Sequence, residues 1–157
     1  MRSSPVPPPL WMILFAGAEW LASRDVPMVR LLRAPYTGLG VGLMVLAIGP
    51  AFSAVVQFRR ARTTIHPHHP ERASALVTRG VYAWTRNPMY LSLWLLLIGA
   101  AVRLGALSAM IVALCFAPML TRVQIRAEER ALAERFGEAY ASYRAHVRRW
   151  FGRRGAL

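Results

Sequence analysis

The sequence predicts an all-α integral membrane protein, with about four transmembrane helices and a further amphipathic helix near the C-terminal end. Three observations carry that expectation. Of the 157 residues, 55% are hydrophobic. They gather in long runs almost free of charge, the length scale of a bilayer crossing. The 20 basic residues, all of them arginine, lie mostly between and beyond those runs and give a formal net charge of +13 against 7 acidic residues. An excess of this size also suits nucleic acid. Arginines that flank apolar spans, however, meet anionic lipid headgroups first, and membrane topology is their ordinary explanation.

The first apolar segment, residues 9–22, follows the proline-rich stretch from Pro5 to Pro9. It contains Glu19 and no small-residue cleavage site clearly follows it, so it reads as a membrane helix and not as a signal peptide. Glu19 has two readings: an interfacial carboxylate beside Arg24, or a functional acid within the membrane. Residues 36–58 form the second segment, long enough at ~1.5 Å per residue to cross a ~30 Å hydrocarbon core. Its glycines, Gly38, Gly40 and Gly42, spell something like a phosphate loop. They open an apolar helix instead of following a strand, so close helix packing through Gly38 and Gly42 is the expected use. Residues 89–121 are too long for one ordinary span and short for two. Arg103-Leu104-Gly105 near the middle supplies a turn, which predicts a tight helical hairpin.

Orientation follows from the arginines. The loop 59–88 carries Arg59, Arg60, Arg62, Arg72, Arg79 and Arg86, and nine more arginines follow residue 121, whereas the hairpin tip has Arg103 alone. Two helices separate loop from tail, so both are expected on the cytoplasmic side, together with both termini. Arg24, Arg30 and Arg33 then fall on the outer side, against the general trend. The expected organisation is one domain, 1–157: membrane helices in 9–58, a cytoplasmic loop 59–88, the hairpin 89–121 and the amphipathic helix 122–150.

That last helix shows in the recurrence of Leu132, Phe136, Tyr140, Tyr143 and Val147 at three- and four-residue spacing from Val123 to Val147, with Arg130, Glu134, Arg135 and Glu138 elsewhere. Glu128 lies one turn before Leu132 and shares the inward stripe. A carboxylate there needs a cationic or hydrogen-bonding partner, for which Arg86 or a bound cationic ligand is available. The plain alternative is a solvated Glu-Glu-Arg run. The single cysteine, Cys115, sits in an apolar run, so thiols offer neither a disulfide nor a zinc site. His66, His68 and His69, set among Pro67 and Pro70, have no carboxylate or cysteine at ligand spacing; no metal is expected, and the loop reads better as a lid.

Two blocks of sequence carry a resemblance. The first holds Thr63-Thr64, Pro67 and Pro70, then Leu76-Val77-Thr78-x-Gly80-x-Tyr82 and Arg86-Asn87-Pro88-Met89-Tyr90. The second is Glu128-Glu129-x-x-Leu132-x-x-x-Phe136-Gly137-x-x-Tyr140-x-x-Tyr143. Together, over roughly residues 60–147, they resemble the isoprenylcysteine carboxyl methyltransferase and phospholipid methyltransferase superfamily, small membrane enzymes that use S-adenosyl-L-methionine, in its bacterial form. Two blocks in the right order around a hairpin of the right length make the resemblance specific.

It implies a methyl transfer at the membrane interface, with S-adenosyl-L-methionine as cofactor and an acceptor similar to an isoprenylcysteine carboxylate or a phospholipid amine. By the same resemblance the loop wraps the adenosine, with Leu76 and Val77 at the adenine and Tyr82 nearby. Arg86, Asn87, Pro88, Met89 and Tyr90 would start a helix at the cofactor's carboxylate, where free N–H groups and an arginine favour an anion. Glu128 or Glu129 would take the ammonium group. Tyr90 would face the sulfonium and Arg122, seven residues before Glu129 and so expected on the same face, would approach an anionic group of the acceptor; these two are the catalytic candidates. Asn87 stands where many eukaryotic relatives have a sequence similar to Arg-His-Pro, and an amide does not titrate near neutral pH, so no base is expected at position 87.

Two other classes of function remain open. Membrane sterol reductases end in a similar Arg-x-Pro-x-Tyr segment and use NADPH, but lack the spacing from Glu-Glu to Phe-Gly. A non-catalytic scaffold or lipid-binding protein would keep the shape without needing both blocks. The expected setting is the inner (cell) membrane of a bacterium, with lipid partners and no nucleic acid. The acceptor and the oligomeric state are left open, since one scaffold serves several acceptors.

Overall fold

The computed structural model describes residues 6–29, 36–61 and 75–154. The loop residues Thr63, Thr64, His66, Pro67, His68, His69 and Pro70 lie outside them. Among the described residues the regular elements are helical: α1 Pro8–Asp25, α2 Tyr36–Leu46, α3 Ile48–Arg60, a short 3-10 turn Gly80–Ala83, α4 Pro88–Leu104, α5 Leu107–Leu120, a π-turn Thr121–Ile125 and α6 Arg126–His146. Proline opens both α1 and α4, where its missing N–H costs nothing and its fixed φ suits the first turn. Between α2 and α3 only Ala47 intervenes, so the expected second segment is nearly one rod.

The hairpin turns where Arg103-Leu104-Gly105 was expected to turn it. Gly105 caps α4 in the left-handed conformation at φ 70°. On the return, the Trp94 indole N–H donates to the carbonyl of Ala113 at 2.9 Å. α1 runs along α5, fixed by an edge-to-face contact of Phe15 and Phe116 at 5.2 Å and by a 3.0 Å hydrogen bond from Ser108 Oγ to the carbonyl of Ala22. Leu97, Ala101, Ala109, Ala113, Phe116 and Leu120 form the buried centre, with small residues setting close helix spacing.

α2 crosses α4 backbone to backbone. A Cβ on Gly99 would meet the Gly40 carbonyl oxygen at 2.8 Å, and one on Gly40 would meet the Gly99 oxygen at 2.7 Å. The expectation of packing through Gly38 and Gly42 is corrected here, because both face open space. Each is two residues from Gly40, about 200° around the helix, so only one of the two sets can meet α4.

Two helical runs, Gly38–Arg60 of 23 residues and Leu107–His146 of 40, are long and apolar enough to cross a membrane, and Pro88–Leu104 is a shorter apolar helix. α1 carries Glu19, Arg24 and Asp25. Glu19 is not beside Arg24: it is fully buried on the face shared with Phe15, one turn away, whereas Arg24 pairs with Asp25 at 3.7 Å in the open. Neither carboxyl oxygen of Glu19 has a hydrogen-bond partner among the described residues.

Two interruptions change the expected C-terminal helix. Pro118 cannot donate to the preceding turn of α5; Thr121 Oγ1 donates to the Ala117 carbonyl at 2.7 Å, and the next five residues widen into the π-turn. That extra residue breaks the seven-residue phase, so Arg122 and Glu129 do not share a face: Arg122 is exposed and Glu129 buried. Within α6, Gly137 sits at φ 50°, ψ −124°, open only to glycine at little cost. The single helix expected over 123–147 is therefore two helical stretches meeting at Gly137.

Candidate functional site

The polar end of the molecule is assembled from three separate stretches: residues 75–87, the π-turn with α6, and the tail 147–154. Leu76, Val77, Tyr82 and Met89 pack with Ala54, Tyr140, Tyr143 and Val147 in a second apolar cluster. Tyr143 donates its hydroxyl to the Tyr82 carbonyl at 2.7 Å, and the rings of Phe58 and Tyr82 meet edge to face at 5.5 Å. Burial pushes the Tyr82 and Tyr143 hydroxyls up, so both stay protonated. Leu76 also borders an open cavity of about 470 Å³, together with Thr78, Ser142, Tyr143, His146 and Arg153.

The start of α4 is held by its neighbours in sequence and by the tail. The Asn87 backbone N–H donates to Thr85 Oγ1 at 3.1 Å, and both the Asn87 amide and the Thr85 hydroxyl donate to the carbonyl of Arg149, at 3.1 and 3.2 Å. The tail folds back as a strap. Arg86 N–H donates to the Arg148 carbonyl at 3.1 Å and Gly152 N–H to the Trp84 carbonyl at 2.8 Å. Trp150 lies against Trp94 at 5.4 Å and donates to Thr121 Oγ1 at 3.1 Å.

The two neighbouring acids have opposite surroundings. Glu128 Oε1 accepts from the Tyr90 hydroxyl and from Gln124 Nε2, each at 2.6 Å; both donors are neutral. Glu129 is gripped by cations. Arg149 donates through Nε at 2.9 Å and through its terminal nitrogen at 2.6 Å, one bond to each carboxylate oxygen, and Arg86 approaches at 3.1 Å. The Arg86 side chain is only 5% exposed and that of Glu129 10%. Arg86 also donates to the Tyr140 hydroxyl at 3.2 Å.

The Leu107–His146 helix, at ~1.5 Å per residue, is about twice as long as a ~30 Å hydrocarbon core, and its apolar part ends at Leu120. Glu128 thus lies beyond the membrane-crossing part. Burial pushes its carboxyl up to about 7; the hydrogen bonds from Tyr90 and Gln124 pull the other way and the charge of Glu129 adds to the rise. Two buried polar atoms beside the acids, Arg86 Nε and Gln124 Oε1, have no hydrogen-bond partner among the described residues. Orphaned polar atoms in such a place mark where a polar ligand gains most.

Of the residues singled out from sequence, the fold gathers Arg86, Asn87, Pro88, Tyr90, Glu128 and Glu129 around the start of α4, with Leu76, Val77, Tyr82 and Met89 packed beside them. Tyr90 enters through its hydroxyl, as a donor to Glu128. Arg122 stands apart, exposed on the π-turn. Sequence reasoning missed Gln124, Thr85, Arg149 and Trp150. Gln124 had a signal, since a glutamine one turn before an acid is a favoured helical pair. Arg149 had none: it is one of nine tail arginines, and only the fold-back of the chain selects it.

Fold and site define a helical, membrane-type protein whose polar end gathers two adjacent acids and two arginines at the start of α4. Residues 36–139, more than half of the chain, match the phospholipid methyltransferase family, and the chain belongs to it. It is similar to the protein-S-isoprenylcysteine O-methyltransferase of Rattus norvegicus, at 32% identity over 113 residues, 68% of this chain and 38% of the rat protein. It is also similar to an uncharacterised protein of Haemophilus influenzae, at 39% identity over 62 residues, 40% of this chain and 98% of that one. The chain thus spans well under half the length of the rat relative.

Proposed function

We propose that this protein transfers a methyl group from S-adenosyl-L-methionine to a lipophilic or amphiphilic acceptor at the cytoplasmic face of a bacterial inner membrane. The observation that carries the reading is the meeting of Glu128, with neutral donors only, and the Arg86–Glu129–Arg149 knot at the start of α4. The cofactor's amino-acid end carries an ammonium and a carboxylate. Of the two adjacent acids, Glu128 is met by neutral donors and Glu129 by arginines, and Arg86 Nε offers an unused donor. The cavity beside Leu76 and Thr78 has room for a nucleoside. These residues fit the group.

In this reading Glu128 takes the ammonium, oriented by Tyr90 and Gln124, and Arg86 with the N–H groups at the start of α4 takes the carboxylate. Residues near Leu76 and Val77 hold the adenosine. When bound, S-adenosylmethionine supplies an electrophilic methyl group that an acceptor's lone pair displaces in line from sulfur, leaving S-adenosylhomocysteine. The protein's task is alignment and exclusion of water. An isoprenylcysteine-like carboxylate or a phospholipid-like amine suits the setting, and exposed Arg122 is available to an anionic headgroup. The topology that supports access is four crossings, α1, α2–α3, α4 and α5, with loop, tail and both termini cytoplasmic.

Calorimetric titration of the detergent-purified protein with S-adenosylhomocysteine, and separately with NADPH, tests this. Saturable binding of the first alone is expected, followed by label transfer from methyl-labelled donor to isoprenylcysteine or phospholipid acceptors. Binding of NADPH alone would move the protein to the reductases, and binding of neither would leave a scaffold. Because Glu128 must be ionised to hold an ammonium and its carboxyl is raised to about 7, affinity should climb as pH rises through about 7 and fall away below it.

A further inference from the structure

We infer that the C-terminal strap, through Arg149, withholds Glu129 from the ligand and tunes its neighbour, so that Glu128 alone is offered to a cationic group; Arg149 is a positioning residue of the site. This rests on the reading of Glu128 as the ammonium acceptor. The observation behind it is how much the strap ties together at one point. The Arg149 carbonyl receives Thr85 and Asn87, its guanidinium spans both oxygens of Glu129, and the next residue, Trp150, bonds to Thr121 in the π-turn. Loop, π-turn and α6 are fixed to one another by two consecutive residues of the tail.

The electrostatic consequence follows from counting charges. Glu129 faces two guanidiniums, Arg86 and Arg149, so the knot carries one net positive charge, and the guanidiniums oppose the Glu129 charge that raises the Glu128 carboxyl. The other groups facing Glu128 are Tyr90 from α4, Tyr82 from the loop and neutral Gln124 from the π-turn. Without Arg149 the knot is neutral, and Glu129's charge acts on Glu128 less opposed. Without Glu129 it carries two positive charges. Without both, it returns to one.

The test is the pH at which S-adenosylhomocysteine affinity is half-maximal, by calorimetry on the full chain. Wild type should show it near pH 7. Arg149→Gln should move it up by about one unit, the ordinary size of a nearby-charge effect, which at pH 7 is about a five-fold loss of affinity. Glu129→Gln should move it down and tighten binding at pH 7. Glu129→Gln/Arg149→Gln should restore the wild-type midpoint, and Arg149→Lys should keep it although the two-pronged grip is lost. A strap with a merely structural role would not give opposite shifts, nor recovery in the double variant.

The inference is overturned if Arg149→Gln keeps the wild-type midpoint, if Glu129→Gln weakens binding, or if the double variant stays shifted. Failure of the methyl-donor reading is distinguishable: no variant binds S-adenosylhomocysteine. The same midpoint is then read without ligand. Wild type should lose thermal stability relative to Glu128→Gln as pH rises through about 7, because the raised carboxyl must ionise while buried. In the Arg149→Gln background that loss should come about one unit higher. Where Arg149→Gln does not fold, Glu129→Gln and the double variant carry the same comparison, and an unmoved midpoint in Glu129→Gln overturns it.

Discussion

The helical bundle and the polar end hold together by opposite means, and the two buried acids Glu19 and Glu129 show the difference. In the bundle, surfaces fit and a buried acid goes unanswered: Gly40 meets Gly99 backbone to backbone, while Glu19 has no hydrogen-bond partner among the described residues. At the polar end each strong group has a specific counterpart from far along the chain, Glu129 from Arg86 and Arg149, Glu128 from Tyr90. Removing an acid should therefore help in one region and harm in the other.

The largest effect expected is from Glu129→Ala. It leaves Arg86 buried without its carboxylate and should cost about 3–5 kcal/mol of stability, read as loss of folded protein in a detergent thermal melt. Next is Gly99→Ala, which drives a methyl group into the Gly40 carbonyl and should cost about 1–3 kcal/mol, whereas Gly38→Ala, in open space, should be close to neutral. Glu19→Leu should run the other way. Replacing an unpartnered buried carboxyl by an apolar group should stabilise by about 1–3 kcal/mol, and a destabilised variant would mean that Glu19 has a partner in the working protein. The smallest effect is Trp150→Phe, which keeps the contact with Trp94 but loses the bond to Thr121 and should cost about 1 kcal/mol.

Much of the fold was legible because it depends on local pattern. The hairpin turn at Gly105, the start of α4 at Pro88 and the approach of Glu128 and Glu129 to that start all rest on residues near each other in sequence or on two recognisable blocks. Where phase mattered, local pattern failed. The same-face expectation for Arg122 and Glu129 assumed an unbroken α-helix, and the π-turn beyond Pro118 inserted a residue into it. Gly38 and Gly42 were chosen over Gly40 because periodicity reveals a stripe without saying which helix it meets.

What the sequence by itself determined is the setting: an all-helical protein with apolar runs of membrane length, an arginine-rich polar end, and two blocks sufficient to mark its family. Hydrophobic run length and spacing are properties of the chain, and the bilayer scale and helix period read them directly. What only the tertiary structure decided is the division of labour between two adjacent acids. Glu128 and Glu129 are alike in sequence, and they differ because the chain folds back through Arg149 and sets two guanidiniums against one of them. That choice is made by residues 20 and 43 positions away, and no local pattern encodes which of nine tail arginines will arrive.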